Sequence, residues 1–232
     1  MVGIDLKTAK MSQAAVDKLI KPSEGHGKEH KGVGFECYLD PIGIPTGGWG
    51  HTARAGDPKP SPDKVWSYAL CEQTLRNDLR DVERAVADML RGAKLPVLQC
   101  EYDALCSGAF NFGAGALRTS SLLRAYLAGD RATAAAKFMD WVRSDGKVLD
   151  GLVKRRRWER SWFLTGELPR TGAVGFAGAQ IFESWDIAAL PHSVDHGDYS
   201  VEEYDGPRWP AMIVVAVLFG LVLLACWLAF KG

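Results

Sequence analysis

An α+β fold is predicted, with a small β-hairpin lobe, a larger all-helical lobe, then a linker and one transmembrane helix. Three observations predict it. Residues 25 to 60 are crowded with glycine and proline and show no helical period. Residues 61 to 165 carry apolar side chains at intervals of three and four. Residues 211 to 230, AMIVVAVLFGLVLLACWLAF, contain no charged residue.

Ser12 is placed to cap a first helix whose Val16, Leu19 and Ile20 share one face, and Pro22 is expected to stop it. Ser23, Glu24 and Gly25 then fall just past its end. The glycine- and proline-rich stretch suits short strands and turns, a small twisted hairpin sheet. Ser61-Pro62-Asp63 reads as the start of a long helix, with Pro62 where a missing N–H does no harm. Its stripe is Tyr68, Leu75, Leu79, Val82, Val86 and Met89, up to Gly92. Further helices are expected from Pro96 to Gly113, Ser120 to Ala128, Asp130 to Val142 and Leu149 to Leu164. Residues 1–11 are an N-terminal extension, 12–168 the folded domain, and 169–208 an aperiodic, partly acidic linker.

At 1.5 Å per residue, the apolar stretch makes about 30 Å of helix, the thickness of a bilayer core. Trp209 and Trp227 sit near its ends, where such rings favour the headgroup zone, so 209–231 reads as a membrane anchor. The N-terminus lacks the apolar run of a secretory signal. Arg208 and Lys231 flank the span evenly, so charge does not set its orientation. Insertion with the C-terminus outward carries only Lys231 and Gly232 across. The folded domain is therefore expected to face the cytoplasm first, held on the inner membrane.

The 232 residues include 28 Lys+Arg and 28 Asp+Glu, so no net field recruits nucleic acid. Five cysteines without CxxC spacing indicate neither a zinc site nor a disulfide framework. Packing in a reducing compartment is the expected role of most, and of Cys37 before a regulatory one. His51 has no Cys or His at ligand spacing, so a structural hydrogen bond to a carboxylate is expected there. The run Lys154-Arg155-Arg156-Arg157 with Arg160 reads as a solvated helix face, and attraction to anionic polymers is a secondary reading. Trp141, Trp158 and Trp162 read as core.

Hydrolysis of a glycosidic bond usually takes two carboxylates, one to protonate the leaving oxygen and one to handle water or the sugar. Glu24 at a helix end and Asp40 on a hairpin are placed to face each other across a cleft between lobes. The words around them are more specific: LIKPSEG, YLDPIGIPTGGWGHT, LQCEYDALCSGAFNFGAGALRTSSLL and FMDWVRSDGKVLDGLVKRRRWERSWFLTGEL. In this order over residues 12 to 168 they resemble the phage-type lysozymes, glycoside hydrolase family 24. The resemblance implies a lysozyme-like fold and an endolysin that cleaves peptidoglycan between N-acetylmuramic acid and N-acetylglucosamine. It implies Glu24 as general acid, with Asp40 and Thr46 holding the attacking water and the anomeric carbon inverted. It also implies Phe110 and Ser121 as glycan contacts, no cofactor and no metal. An endolysin behind a membrane needs a separate lesion in it, with a holin as the partner.

The segment HGKEHKG, residues 26 to 32, is longer than the family's usual connection and reads as a surface loop. Glu29 and Glu36 are rival acids. Glu36, four residues from Asp40 in one strand, lies on the same side of the chain, which argues against it. Two other readings stand beside the endolysin: a catalytically idle wall-binding or membrane-structural protein on the same scaffold, and a virion enzyme for wall entry.

Overall fold

The computed structural model describes residues 3–40, 43–144 and 146–169. Nearly all of the expected linker and the whole expected anchor at 209–231 lie outside the described residues. Among those residues no helix is long and apolar enough to cross a membrane.

The first helix starts where the sequence places it. Ser12 Oγ accepts the Ala15 N–H at 3.1 Å and donates to Asp103 Oδ2 at 2.6 Å, tying the cap to the helical lobe. Pro22 does not stop the helix. A short α1 (Gln13–Ala15) passes into a π-helical stretch, Val16–Ile20, and then into α2 (Lys21–Glu24). A proline ring clashes with the carbonyl four residues back and lacks an N–H. The wider register, in which the Lys21 N–H donates to the Val16 carbonyl, opens the turn that faces it. Glu24 is thus the last residue of the rod, before Gly25 at φ 68° turns the chain away.

Six short strands follow: β1 (Glu29–His30), β2 (Gly34–Glu36), β3 (Tyr38–Leu39), β4 (Pro45–Gly47), β5 (His51–Thr52) and β6 (Val65–Ser67). They form two antiparallel three-stranded sheets, ordered β1-β2-β6 and β3-β4-β5. The segment 26–32 is therefore not only a loop. It supplies β1, which pairs Glu29 with Phe35 and His30 with Gly34, and His26 stacks on Phe35 at 4.1 Å. Gly34 has a steric reason: a Cβ there would stand 1.8 Å from the Trp66 carbonyl.

Ser61-Pro62-Asp63 does not open the long helix either. Asp63 turns at φ 67°, and Val65–Ser67 complete the first sheet, with buried Trp66 opposite Phe35. A β-branched and an aromatic residue suit a strand, and pairing with β2 overrides the weak helix signal. The helix α3 (Tyr68–Leu90) begins with Ser67 as cap, its Oγ accepting the Leu70 N–H at 3.2 Å.

The helical lobe continues with α4 (Gln99–Phe112), α5 (Ala114–Thr119), α6 (Ser121–Leu127) and α7 (Arg131–Lys137), the last capped by Asp130. The segment expected as one helix to Val142 tightens into a 3-10 turn, Phe138–Trp141. A hairpin unseen in the sequence follows, β7 (Arg143–Ser144) against β8 (Lys147–Val148). Then α8 (Asp150–Thr165) closes the domain at left-handed Gly166. At the centre lies α4, buried on every side from Glu101 to Ala109, as a helix must be that packs neighbours all round. Its Tyr102 and Leu105 share the core with Leu75, Leu79, Phe138, Trp162 and Phe163. Cys37, Cys71 and Cys106 are free thiols buried in that core, and Cys100 is partly covered. Only Trp162 of the three late tryptophans is buried. Trp141 and Trp158 are half-exposed, Trp141 stacked on Phe112 at 4.1 Å.

Candidate active site

Glu24 is 1% exposed at the end of the first helical rod. Its two oxygens have different surroundings. Oε1 accepts a hydrogen bond from Arg155 Nη1 at 2.7 Å, whereas Oε2 has no hydrogen-bond partner among the described residues. Oε2 faces Gly50, where a Cβ would stand 3.3 Å away, and Gly50 has φ 85°, a conformation glycine takes without strain. A carboxyl group with one oxygen clamped and the other free of hydrogen bonds can carry a proton on that second oxygen alone.

The turn between β3 and β4 holds Asp40. The Asp40 N–H donates to the Ile44 carbonyl at 3.0 Å, and the Ile44 N–H returns to Asp40 Oδ1 at 2.8 Å. Thr46 is buried on β4, its hydroxyl donating to the Ile44 carbonyl at 3.1 Å. Tyr38 stands directly opposite Thr46 in the register, and Asp40 lies two residues further along the same strand face. Tyr38, Asp40 and Thr46 therefore share one side of the hairpin. The Tyr38 phenol is pushed up to about 12, first by burial and then by the charges of Glu24 and Asp40. Both carboxylates thus act on one hydroxyl group, that of Tyr38 on the hairpin.

The rival acids lie elsewhere. Glu36 Oε2 meets His30 Nε2 at 2.9 Å, and Glu29 accepts from the Tyr68 hydroxyl at 2.7 Å, both in the first sheet. Phe110 is half-buried on α4 against the core. Ser121 opens α6, its hydroxyl 3.5 Å from Asp140 Oδ2. Neither has a hydrogen bond or ion pair to Glu24, Asp40 or Thr46 among the described residues.

The basic run is the largest departure from the sequence reading. Arg155 and Arg156 are not on a solvated face: they are 4% and 0% exposed. Arg155 Nε donates to Glu159 Oε1 at 3.1 Å and its Nη2 to the Ser107 carbonyl at 3.2 Å. Arg156 reaches Glu159 Oε2 at 2.8 Å and Asn111 Oδ1 at 2.9 Å, and Ser107 Oγ donates to Glu159 Oε1 at 2.7 Å. Burial works against the charge of Arg155, but Glu24 and Glu159 on either side hold its proton more firmly than usual. Arg156 is pushed down to about 10, chiefly by burial. One signal was legible: Glu159 falls three and four residues after the two arginines, on their side of the helix. Charge counting alone favours solvent, since arginine is rarely buried unless paired.

His51 has the expected carboxylate partner. It is buried on β5, with Nδ1 2.8 Å from Asp78 Oδ2 on α3. Desolvation disfavours its charge, but Asp78 outweighs that and raises its proton affinity. Among the described residues no group of three or more His, Cys, Asp or Glu is arranged to hold a metal.

The fold has known counterparts. The sequence model of the phage lysozyme family matches residues 28–159, and the chain belongs to that family. The endolysin of Bacillus phage B103 is 41% identical over 158 residues, which is 68% of this chain but 55% of that relative. The chain thus spans little more than half the length of that protein. The endolysin of Salmonella phage P22 is 36% identical over 138 residues, 60% of this chain and 92% of the relative. A crystal structure of a P22 lysozyme mutant superposes with a TM-score of 0.58 at 32% identity, covering 68% of this chain and all of that one. The muramidase domain of SpmX from Asticaccaulis excentricus gives 0.55 at 31% identity, covering 67% and 98%. The fold is lysozyme-like.

Proposed function

We propose that the chain is an endolysin that hydrolyses the β-1,4 bond between N-acetylmuramic acid and N-acetylglucosamine in bacterial peptidoglycan, for host lysis and phage release. The observation that carries this reading is the asymmetry of Glu24, with Oε1 held by Arg155 and the buried Oε2 left without a hydrogen-bond partner beside Gly50. Glu24 donates a proton to the leaving glycosidic oxygen. Asp40 takes the proton of a water that Thr46 helps to orient, and that water attacks the anomeric carbon from the opposite face, with inversion. Phe110 and Ser121 are the proposed glycan contacts on the helical lobe. Residues 209–231 anchor the enzyme in the host inner membrane, and a holin opens the way to the wall.

The test is a turbidity assay on chloroform-treated Gram-negative cells, wild type beside Glu24→Gln, with the anomer of the first product read by NMR. Lysis by the wild type alone with the α-anomer released supports the reading. A wild type that binds wall without cutting it returns the idle-scaffold alternative, and a β-anomer removes the inverting step.

A further inference from the structure

The clamp on Glu24 is itself held from behind. Glu159 is 0% exposed and touches three donors of its own lobe: Arg155 Nε, Arg156 and Ser107 Oγ. Glu24, Arg155, Arg156 and Glu159 thus form a buried cluster of two guanidinium and two carboxyl groups. Arg155 sits between the two carboxylates, one on Nη1 and one on Nε. We propose that Glu159 is a positioning residue for the glycosidase, aiming Arg155 at Glu24 and dividing its charge so that Glu24 can still take up the proton it must donate. The inference rests on the reading of Glu24 as general acid.

The sign follows from the surroundings of Glu24. Charged and titratable groups act on it from two sides among the described residues: Tyr38 from the hairpin, with Asp40 acting on the same phenol, and Arg155 from α8 with Arg156 and Glu159 behind it. From α4 the cluster meets neutral groups, Ser107 and Asn111. Removing the charge of Glu159 takes a like charge away and leaves Arg155 undivided, and both changes favour carboxylate over acid at Glu24. An acid that loses its proton too early limits activity from the alkaline side.

The experiment compares full-length wild type, Glu159→Gln and Glu159→Asp in detergent, assayed on purified peptidoglycan across pH. Glu159→Gln is expected to move the alkaline limb of the activity profile to lower pH by about one unit. It should also lose roughly tenfold in kcat at neutral pH with KM little changed. Glu159→Asp keeps the charge and should keep the limb. Breaking one partner of a buried pair is destabilising. A further variant, Glu159→Gln with Arg156→Met, therefore removes the ion pair whole; it also takes a positive charge from near Glu24, so its limb should move the same way but by less. A folded Glu159→Gln with an unmoved limb overturns the proposal, as does a double variant whose limb moves to higher pH or an equal shift in the Asp variant. Side-chain 15N NMR of Arg155 separates this from the parent reading. If the wild type cuts no wall, the endolysin assignment fails, while an Arg155 guanidinium equally immobile with and without Glu159 still refutes the positioning role.

Discussion

At the scale of residues, the site depends on which carboxylates have hydrogen-bonding partners. Glu24 and Glu36 lie twelve positions apart on a glycine-rich segment, yet one ends a helix against Arg155 and the other pairs with His30 at a sheet surface. Glu24→Gln keeps shape but cannot deliver a proton, and a positioned general acid is worth about 10² to 10⁴ in rate. Glu36→Gln should lyse walls within about twofold of wild type, because it touches only a half-exposed histidine in the first sheet. The reverse pattern in a side-by-side lysis assay would move the acid to Glu36. His51 gives a prediction in pH. Its folded proton affinity is raised, so its pair with Asp78 contributes stability that is fully present below the unfolded value of about 6.5 and lost as pH rises through the raised one. Urea denaturation of wild type and His51→Gln should therefore differ most near pH 5.5, and the gap should shrink toward pH 8.5. A gap that grows with pH would mean the pair stabilises through neutral hydrogen bonding alone.

At the scale of elements, the segment 26–32 changes its meaning. As a surface loop it would be replaceable at little entropic cost. As β1 it carries the pairing with β2, the stack of His26 on Phe35 and the Tyr68–Glu29 hydrogen bond. Replacing residues 26 to 32 by a short Gly-Ser link leaves a two-stranded β2–β6 ribbon, and such ribbons are marginal without other packing. The helix end bearing Glu24 and the hairpin bearing Asp40 have their own anchors, in Arg155 and Ile44. Activity below the melting point should thus persist, while Tm falls by several degrees, as a loss of about 1–2 kcal/mol would produce in a domain of this size. Calorimetry beside the lysis assay checks it. An unchanged Tm would return the segment to a loop, and a dead but folded variant would mean that β1 shapes the cleft.

At the scale of the whole molecule, a lysozyme-like domain is joined to an uncharged apolar stretch. Truncation after Asp205 removes that stretch and leaves every described contact in place. The shortened chain should move from the membrane pellet to the supernatant and keep its specific activity on exposed peptidoglycan to within about twofold, since a domain with its own core folds alone. Fractionation with activity in both pools checks this, and a truncated chain that still pellets would show that attachment lies in the domain. Orientation is read by adding protease to intact spheroplasts. Protection of the domain agrees with a cytoplasmic first placement, and digestion before any lesion forms would mean that the domain is exported.

Local chemistry made much of this protein legible. Glycine and proline at 25 to 60 exclude helix, the three-and-four spacing of Leu75, Leu79, Val82 and Val86 demands one, and Ser12 and Asp130 cap because a short side-chain oxygen reaches the free N–H groups. Glu24, Asp40 and Thr46 were visible as motif words, and His51 as a histidine in need of a carboxylate. Whatever depended on a distant partner was not. Pro22 continues the first helix because a π-turn absorbs it, and Val65–Ser67 become a strand because β2 is there to pair with. Arg155 and Arg156 read as solvated charge in one dimension. They are buried because α8 lies against α4 and the end of the first helix, and opposite charges brought together across 131 residues offset a desolvation that none could bear alone.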